Sequence, residues 1–92
     1  ISVSDIKELD HSIQVYPNPS SGILRLKVNL KSASDLTIRV TNILGQQVGR
    51  FATAKMQQGE IKLDLSAYAN GVYVLSIQSD KATVSKKIIL QR

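Results

Sequence analysis

The side chains of this chain that could do chemistry are one histidine, seven carboxylates and a scatter of serines. His11 is the single histidine, and there is no cysteine. A lone imidazole without a second His or Cys cannot anchor zinc, and His11 reads as solvated. The missing thiols exclude disulfides, thiolate metal sites and a cysteine nucleophile. Asp35, Glu60, Asp64 and Asp80 are the carboxylates beyond the first twelve residues. Glu60 and Asp64 share one strand parity, which sets them about 13 Å apart along an extended backbone. A glycosidase pair needs its carboxyl groups roughly 5–9.5 Å apart. No loop of alternating acids suits calcium. No Ser-His-Asp set can be assembled. These residues describe no enzyme, no metal and no cofactor.

Charge is the next constraint. Twelve basic and seven acidic residues give a formal net charge of +5. The excess is spread over Arg25, Lys27, Arg39, Lys62 and Lys81, and thickens at Lys86 and Lys87. Dispersed positive charge describes either a solvated face or a docking surface for an anionic partner. Arg25, Lys27 and Arg39 share an outward parity. A single-strand nucleic-acid binder would add stacking platforms. The aromatics here are Tyr16, Phe51, Tyr68 and Tyr73, and at least two are expected inside, so no nucleic-acid partner is expected.

Ninety-two residues with 42% apolar and 21% charged side chains make one folded domain. A chain of this size has enough surface for one core but not for a deep enclosed site as well. No apolar run reaches the roughly 20 residues that span a bilayer. The chain opens on Ile1 and shows no signal peptide, so it reads as a fragment of a longer protein that carried any export signal elsewhere.

The elements that must position these residues follow from period and turn chemistry. Residues 1–12 carry Asp5, Glu8 and Asp10 and only a hint of helical period at Ile6 and Leu9. They read as a linker or N-terminal arm, with the folded domain over 13–92. Ile13 to Tyr16 is a short strand. Pro17 and Pro19 then stiffen a turn that Ser20, Ser21 and Gly22 complete. Leu24, Leu26, Val28 and Leu30 alternate with Arg25, Lys27 and Asn29, a half-buried antiparallel strand. Lys31–Asp35 reads as a polar turn, and Leu36, Ile38 and Val40 set a third strand. Gly45 supplies positive φ in a hairpin loop. A fourth strand runs about Gln47 to Ala52, with Gly49 at a bulge, and Thr53–Gly59 is a looser connection. Ile61, Leu63 and Leu65 alternate in a fifth. Asn70-Gly71 is a turn pair. Val72–Ile77, apolar on both faces, belongs in the middle of its sheet. Thr83–Leu90 is the last strand, where Lys86 breaks the parity of Val84, Ile88 and Leu90 and implies a strand that starts exposed and becomes buried.

Seven strands with turns between them predict a seven-stranded antiparallel immunoglobulin-like β-sandwich, all-β. The expected core is Leu24, Leu26, Val28, Ile38, Val40, Leu63, Leu65, Val74, Ile88 and Leu90. Tyr68 could donate its hydroxyl to backbone, as in a tyrosine corner.

Tyr16-Pro17-Asn18-Pro19 followed by Gly22 resembles the opening of the sorting domains carried by cargo of the type IX secretion system. The likeness continues through Ile38 to Gly45 and Val48, Asp64 to Ser66, Gly71-Val72-Tyr73 through Ile77, and Lys87 to Leu90. It covers the chain from about Ile13 to Arg92. The resemblance implies a C-terminal address label that takes its cargo from the periplasm across the outer membrane. It implies recognition through Tyr16, Pro17, Asn18, Pro19, Gly22, Gly45, Gly71, Tyr73, Lys86, Lys87, Ile88, Ile89 and Leu90. The implied partners are the outer-membrane translocon, its shuttle proteins and a sortase-like cysteine peptidase. That peptidase would cut ahead of the domain and often join the cargo to an anionic lipopolysaccharide. The implied address is the periplasm in transit, then the cell surface or the medium, with the domain a monomer or weakly self-associating. The competing reading is an accessory immunoglobulin-like module that binds glycan or protein on a surface enzyme. Glycan binding would want exposed aromatics in a groove.

Overall fold

The structure, a computed structural model, describes Leu9 and residues 11–92. Most of the expected arm over 1–12 therefore lies outside the described residues. Within it, Leu9 is buried in the core and His11 is exposed.

Five strands follow: β1 (Ile13–Tyr16), β2 (Ile23–Asn42), β3 (Gln47–Asp64), β4 (Gly71–Gln78) and β5 (Thr83–Leu90). Every pairing is antiparallel. The order is β1-β2-β4-β5, with β3 on β2. The all-β antiparallel expectation holds. The count of seven strands does not, because Lys31–Asp35 and Thr53–Gly59 are strand and not connections. What forms is one curled antiparallel sheet.

β2 is the spine of that sheet. Its first half pairs with β1 on one edge and with the end of β3 on the other. Its second half pairs with the start of β3 and with β4. A straight strand of its 20 residues would span roughly 65 Å, but the molecule's longest dimension is 35 Å. The strand must bend, and its register slips on either side of Ser34. Ser34 is buried there, donating its hydroxyl to the Asp35 carbonyl (2.9 Å) and accepting from the Asp80 N–H (3.0 Å). Lys31–Asp35 reads as a turn because at a bend few side chains face the core; Ser32 and Ala33 are exposed.

Bending brings the two halves of one face together. Leu24, Leu26, Val28 and Leu30 join Leu36, Ile38 and Val40 in a single buried cluster with Leu63, Leu65, Leu75, Ile77, Ile88 and Leu90. Nine of the ten expected core residues are buried; Val74 is 36% exposed. β4 is central, paired on both edges, but Leu75 and Ile77 carry its inner face and Val74 points out. The last strand also departs from expectation. Val84 is buried from the outset, and Lys86 takes the inner-face register between Val84 and Ile88, half-buried. An inward lysine on an edge strand discourages pairing with stray strands.

Leu26→Ala should cost about 2–4 kcal/mol by leaving a cavity. Val74→Ala should cost about 0.5 kcal/mol or less, as a surface change. Urea midpoints for the two variants check this; equal shifts would contradict the outward placement of Val74.

Candidate recognition site

The turn between β1 and β2 meets the end of β5. Both of its X–Pro bonds, Tyr16-Pro17 and Asn18-Pro19, are cis. Proline has no N–H to give a neighbouring strand, so pairing falls to the residues between and beyond. The Asn18 amide donates to the Lys87 carbonyl (3.1 Å) and accepts from the Ile89 N–H (3.0 Å). One side chain thus copies a peptide unit of a neighbouring strand. Ser20 continues with backbone: its N–H donates to the Ile89 carbonyl and its carbonyl accepts from the Gln91 N–H, both at 2.8 Å. Ser20 itself is buried, its hydroxyl donating to the Ile23 carbonyl and accepting from the Gly22 N–H.

Gly22 brings in the loop between β3 and β4. Its carbonyl accepts from the Leu65 N–H at 2.7 Å. Its φ is +136°, and a Cβ there would sit 3.3 Å from the Ser66 Cα. Only glycine fits that backbone and that gap without displacement. The Asp64 carboxylate accepts from the Ser66 N–H. Hydrogen bonding from Ser66, through its side chain and then its backbone, holds the Asp64 carboxyl below the usual carboxylate range. Arg92 closes the ring. Its guanidinium donates to the carbonyls of Tyr68 (2.6 Å), Ser66 (2.8 Å) and Leu65 (3.0 Å) and to the Asn70 side chain (3.2 Å).

Two tyrosines brace the loop. Tyr73 is buried opposite Ile88 and donates its hydroxyl to the Ala69 carbonyl at 2.7 Å. Tyr68 stacks at a tilt on it, ring centres 6.0 Å apart, and donates to the Val48 carbonyl (3.1 Å). The expected hydroxyl-to-backbone bond of Tyr68 is present. Gly49 makes room for it, since a Cβ there would overlap the Tyr68 oxygen. The bulge expected at Gly49 also appears, as a register slip opposite Val40 and Thr41.

Most of the residues singled out from sequence therefore converge at one end of the sheet. Asn18, between Pro17 and Pro19, bonds Lys87 and Ile89, Gly22 lies against Leu65 and Ser66 beside Arg92, Gly71 pairs with Leu90, and Tyr73 pairs with Ile88. Ile88 and Leu90 are buried, Ile89 is half-buried and Lys87 is exposed. Two candidates take no part in these contacts. Tyr16 points to the outer face, donating to Glu60 (2.7 Å), which also accepts from Arg25 (3.1 Å). Hydrogen bonds from Tyr16 and then Arg25 hold the Glu60 carboxyl low, and the bond to Glu60 raises the Tyr16 phenol. Gly45, φ +85°, occupies the β2–β3 hairpin tip. Lys86 and Lys87 line an open groove toward β1 with Ile13, Gln14, Val15 and Asn18.

The expected basic stripe is divided. Arg25 is paired with Glu60. Arg39 lies beyond the bend, half-buried and donating to Gln78. Among the described residues no group of acids and histidine is placed to hold a metal. Sequence reasoning missed Ser20 and Arg92. Ser20 reads as turn filler, and a terminal arginine announces no partner; only their placement shows what they hold.

The chain belongs to the secretion system C-terminal sorting domain family, whose pattern matches residues 14–91. It is thus a C-terminal sorting signal of the type IX secretion system, whose cargo crosses the outer membrane to the cell surface or the medium. The fold is similar to part of the crystal structure of dimeric latent PorU from Porphyromonas gingivalis, at a TM-score of 0.63 and 22% identity. The match covers 85% of this chain and 9% of that one. No curated protein matches the chain.

Gly22→Ala should destabilise the domain by about 1–3 kcal/mol, through the left-handed backbone and the crowding on Ser66. Chemical denaturation checks this, and a neutral result would mean that the turn is not pressed on the 65–70 loop.

Proposed function

We propose that the export machinery reads this domain as a folded unit, at the end where the turn, the 65–70 loop and β5 are joined. One observation carries the reading: stretches remote in sequence, each part of the sorting-domain pattern, are hydrogen-bonded around Lys87–Arg92. A recognition surface assembled from both ends of a chain exists only when the chain is folded. The receptor is the outer-membrane translocon, with shuttle proteins passing the cargo along. A sortase-like cysteine peptidase cuts in the arm ahead of β1, which makes residues 1–12 its linker and 13–92 the signal. The domain is a substrate with no catalysis of its own.

β5 supplies the face that a partner would grip. It is last in the strand order, and the turn covers only its far end. Its earlier edge looks into the groove lined by Lys86 and Lys87. Sheet edges bind extended segments through backbone pairing, with alternate side chains giving selectivity. Acidic surfaces would be favoured there, in a salt-dependent manner. A glycan-binding module would need exposed rings in a groove. Tyr68 and Tyr73 pack on each other and Phe51 is half-buried, which leaves Tyr16.

The test fuses the 92-residue chain to a periplasmic reporter in a type IX-competent cell. The unmodified fusion should reach the surface. Lys86→Gln/Lys87→Gln should fold with near-normal stability and accumulate in the periplasm. Surface delivery of that variant at the normal rate would reduce the lysines to edge guards. Retention of the unmodified fusion would overturn the export reading.

A further inference from the structure

The β2–β3 hairpin carries two side chains that the core does not use. Ile43 and Leu44, at its tip, are 78% and 80% exposed. Their backbone is nevertheless fixed. The Asn42 N–H donates to the Gln46 carbonyl (2.9 Å), and the Gly45 N–H to the Asn42 carbonyl (3.0 Å). The Asn42 side-chain oxygen accepts from both the Leu44 N–H (2.9 Å) and the Gln46 N–H (3.0 Å). Behind the tip, Thr41 pairs with Gln47 on one side and with Val74 on the other; Val48, left out of the pairing by the register slip between Gln47 and Gly49, is exposed, as is Val74. Four of the five most exposed large hydrophobics among the described residues therefore lie at this end of the sheet. It is the same end as the joined turn and loop, since Tyr68 reaches Val48. From Val40 to Gly49 no residue is charged.

Shape and charge decide what could cover such a tip. The exposed aliphatic surface is roughly 300–400 Å², the size of patch that is commonly functional on a monomer. A stable pair of copies needs about 800 Å² from each partner. A protruding tip is also poorly self-complementary across a two-fold axis. A lipid surface is held by apolar insertion together with a basic belt; the tip from Val40 to Gly49 carries no charge, and the first bases behind it along the hairpin are Arg39, bonded to Gln78, and Arg50 opposite it. A concave apolar socket in another protein meets both conditions. The centre of a protein interface is poor in charge and rich in large anchors, with hydrogen-bonding groups around it. The Asn42 amide, bonded to that of Gln46 (3.1 Å), supplies such groups at the base of the tip. The prearranged backbone lowers the ordering cost of binding.

We propose that Ile43 and Leu44 form an anchor that seats in an apolar socket of a protein of the outer-membrane export machinery. The identity of that partner rests on the export reading; the anchor rests on the hairpin. Neither Ile43 nor Leu44 lines the groove at Lys86 and Lys87, so the anchor adds a second point of contact.

The test titrates the 92-residue chain against purified outer-membrane translocon in detergent. Ile43→Ser/Leu44→Ser should raise Kd about ten-fold or more, with an unchanged melting temperature. Ile43→Met/Leu44→Met should bind nearly as the unmodified chain does. Equal Kd for the serine variant overturns the anchor. Loss of binding to vesicles of outer-membrane lipids, or loss of self-association in sedimentation, with translocon binding intact, also overturns it in favour of a lipid or a second copy. If the unmodified chain fails to bind the translocon while its reporter fusion is exported, the named partner is wrong and the inference falls. If the fusion is retained as well, the export reading falls with it.

Discussion

The structure depends on how the end of β5 is held. An edge strand has one satisfied side and one open side, and its last residues ordinarily fray. Here the open side from Lys87 to Gln91 is met by Asn18 and Ser20. The prolines on either side of Asn18 cannot donate, and the asparagine amide supplies both a donor and an acceptor in their place. Beyond the strand, Arg92 binds three carbonyls of the 65–70 loop. The signature residues are in this sense one joint, and most of them are explained by structure before any receptor is invoked.

That joint works because β2 bends. A single long strand supplies both halves of the core face, and its two halves are hydrogen-bonded to different partners. The turn after β1 can then arrive beside β5, which lies at the other end of the sheet path. The isolated bridge between Ser20 and Leu90 links the two ends of that path. In the proposed reading, recognition and stability share residues. Ile88 and Leu90 fill the core and also carry the strand whose edge is on offer, whereas Lys86, Lys87, Ile43 and Leu44 can change with little effect on the core.

Alternation made the core legible. Period two at Leu24–Leu30, Leu36–Val40 and Ile61–Leu65 placed those side chains inward, and they are inward. The turn chemistry at Gly45 and Asn70-Gly71 was equally readable. The bends were not, since a bent strand with small polar residues at the corner has the composition of a turn. Apolar residues on both faces of β4 do not mean burial on both, and Val74 faces out. Its central position is right, but its outer face is part of an exposed apolar patch. At the site, Asn18 and Gly22 could be named but not their partners, which lie 69 and 43 residues away in sequence at Lys87 and Leu65.

The central claim is that the turn and the chain end act as one unit, and a double-mutant cycle between Asn18→Ala and Arg92→Ala tests it most directly. The two side chains do not bond each other; they grip successive parts of the same terminal segment. Equilibrium denaturation of the two single variants and the double variant gives the coupling. If the joint is cooperative, the first change loosens what the second removes, and the double variant is less destabilised than the sum by about 0.5 kcal/mol or more. Additivity within about 0.3 kcal/mol would contradict the account, because it would mean that the turn and the terminal arginine hold independent sites.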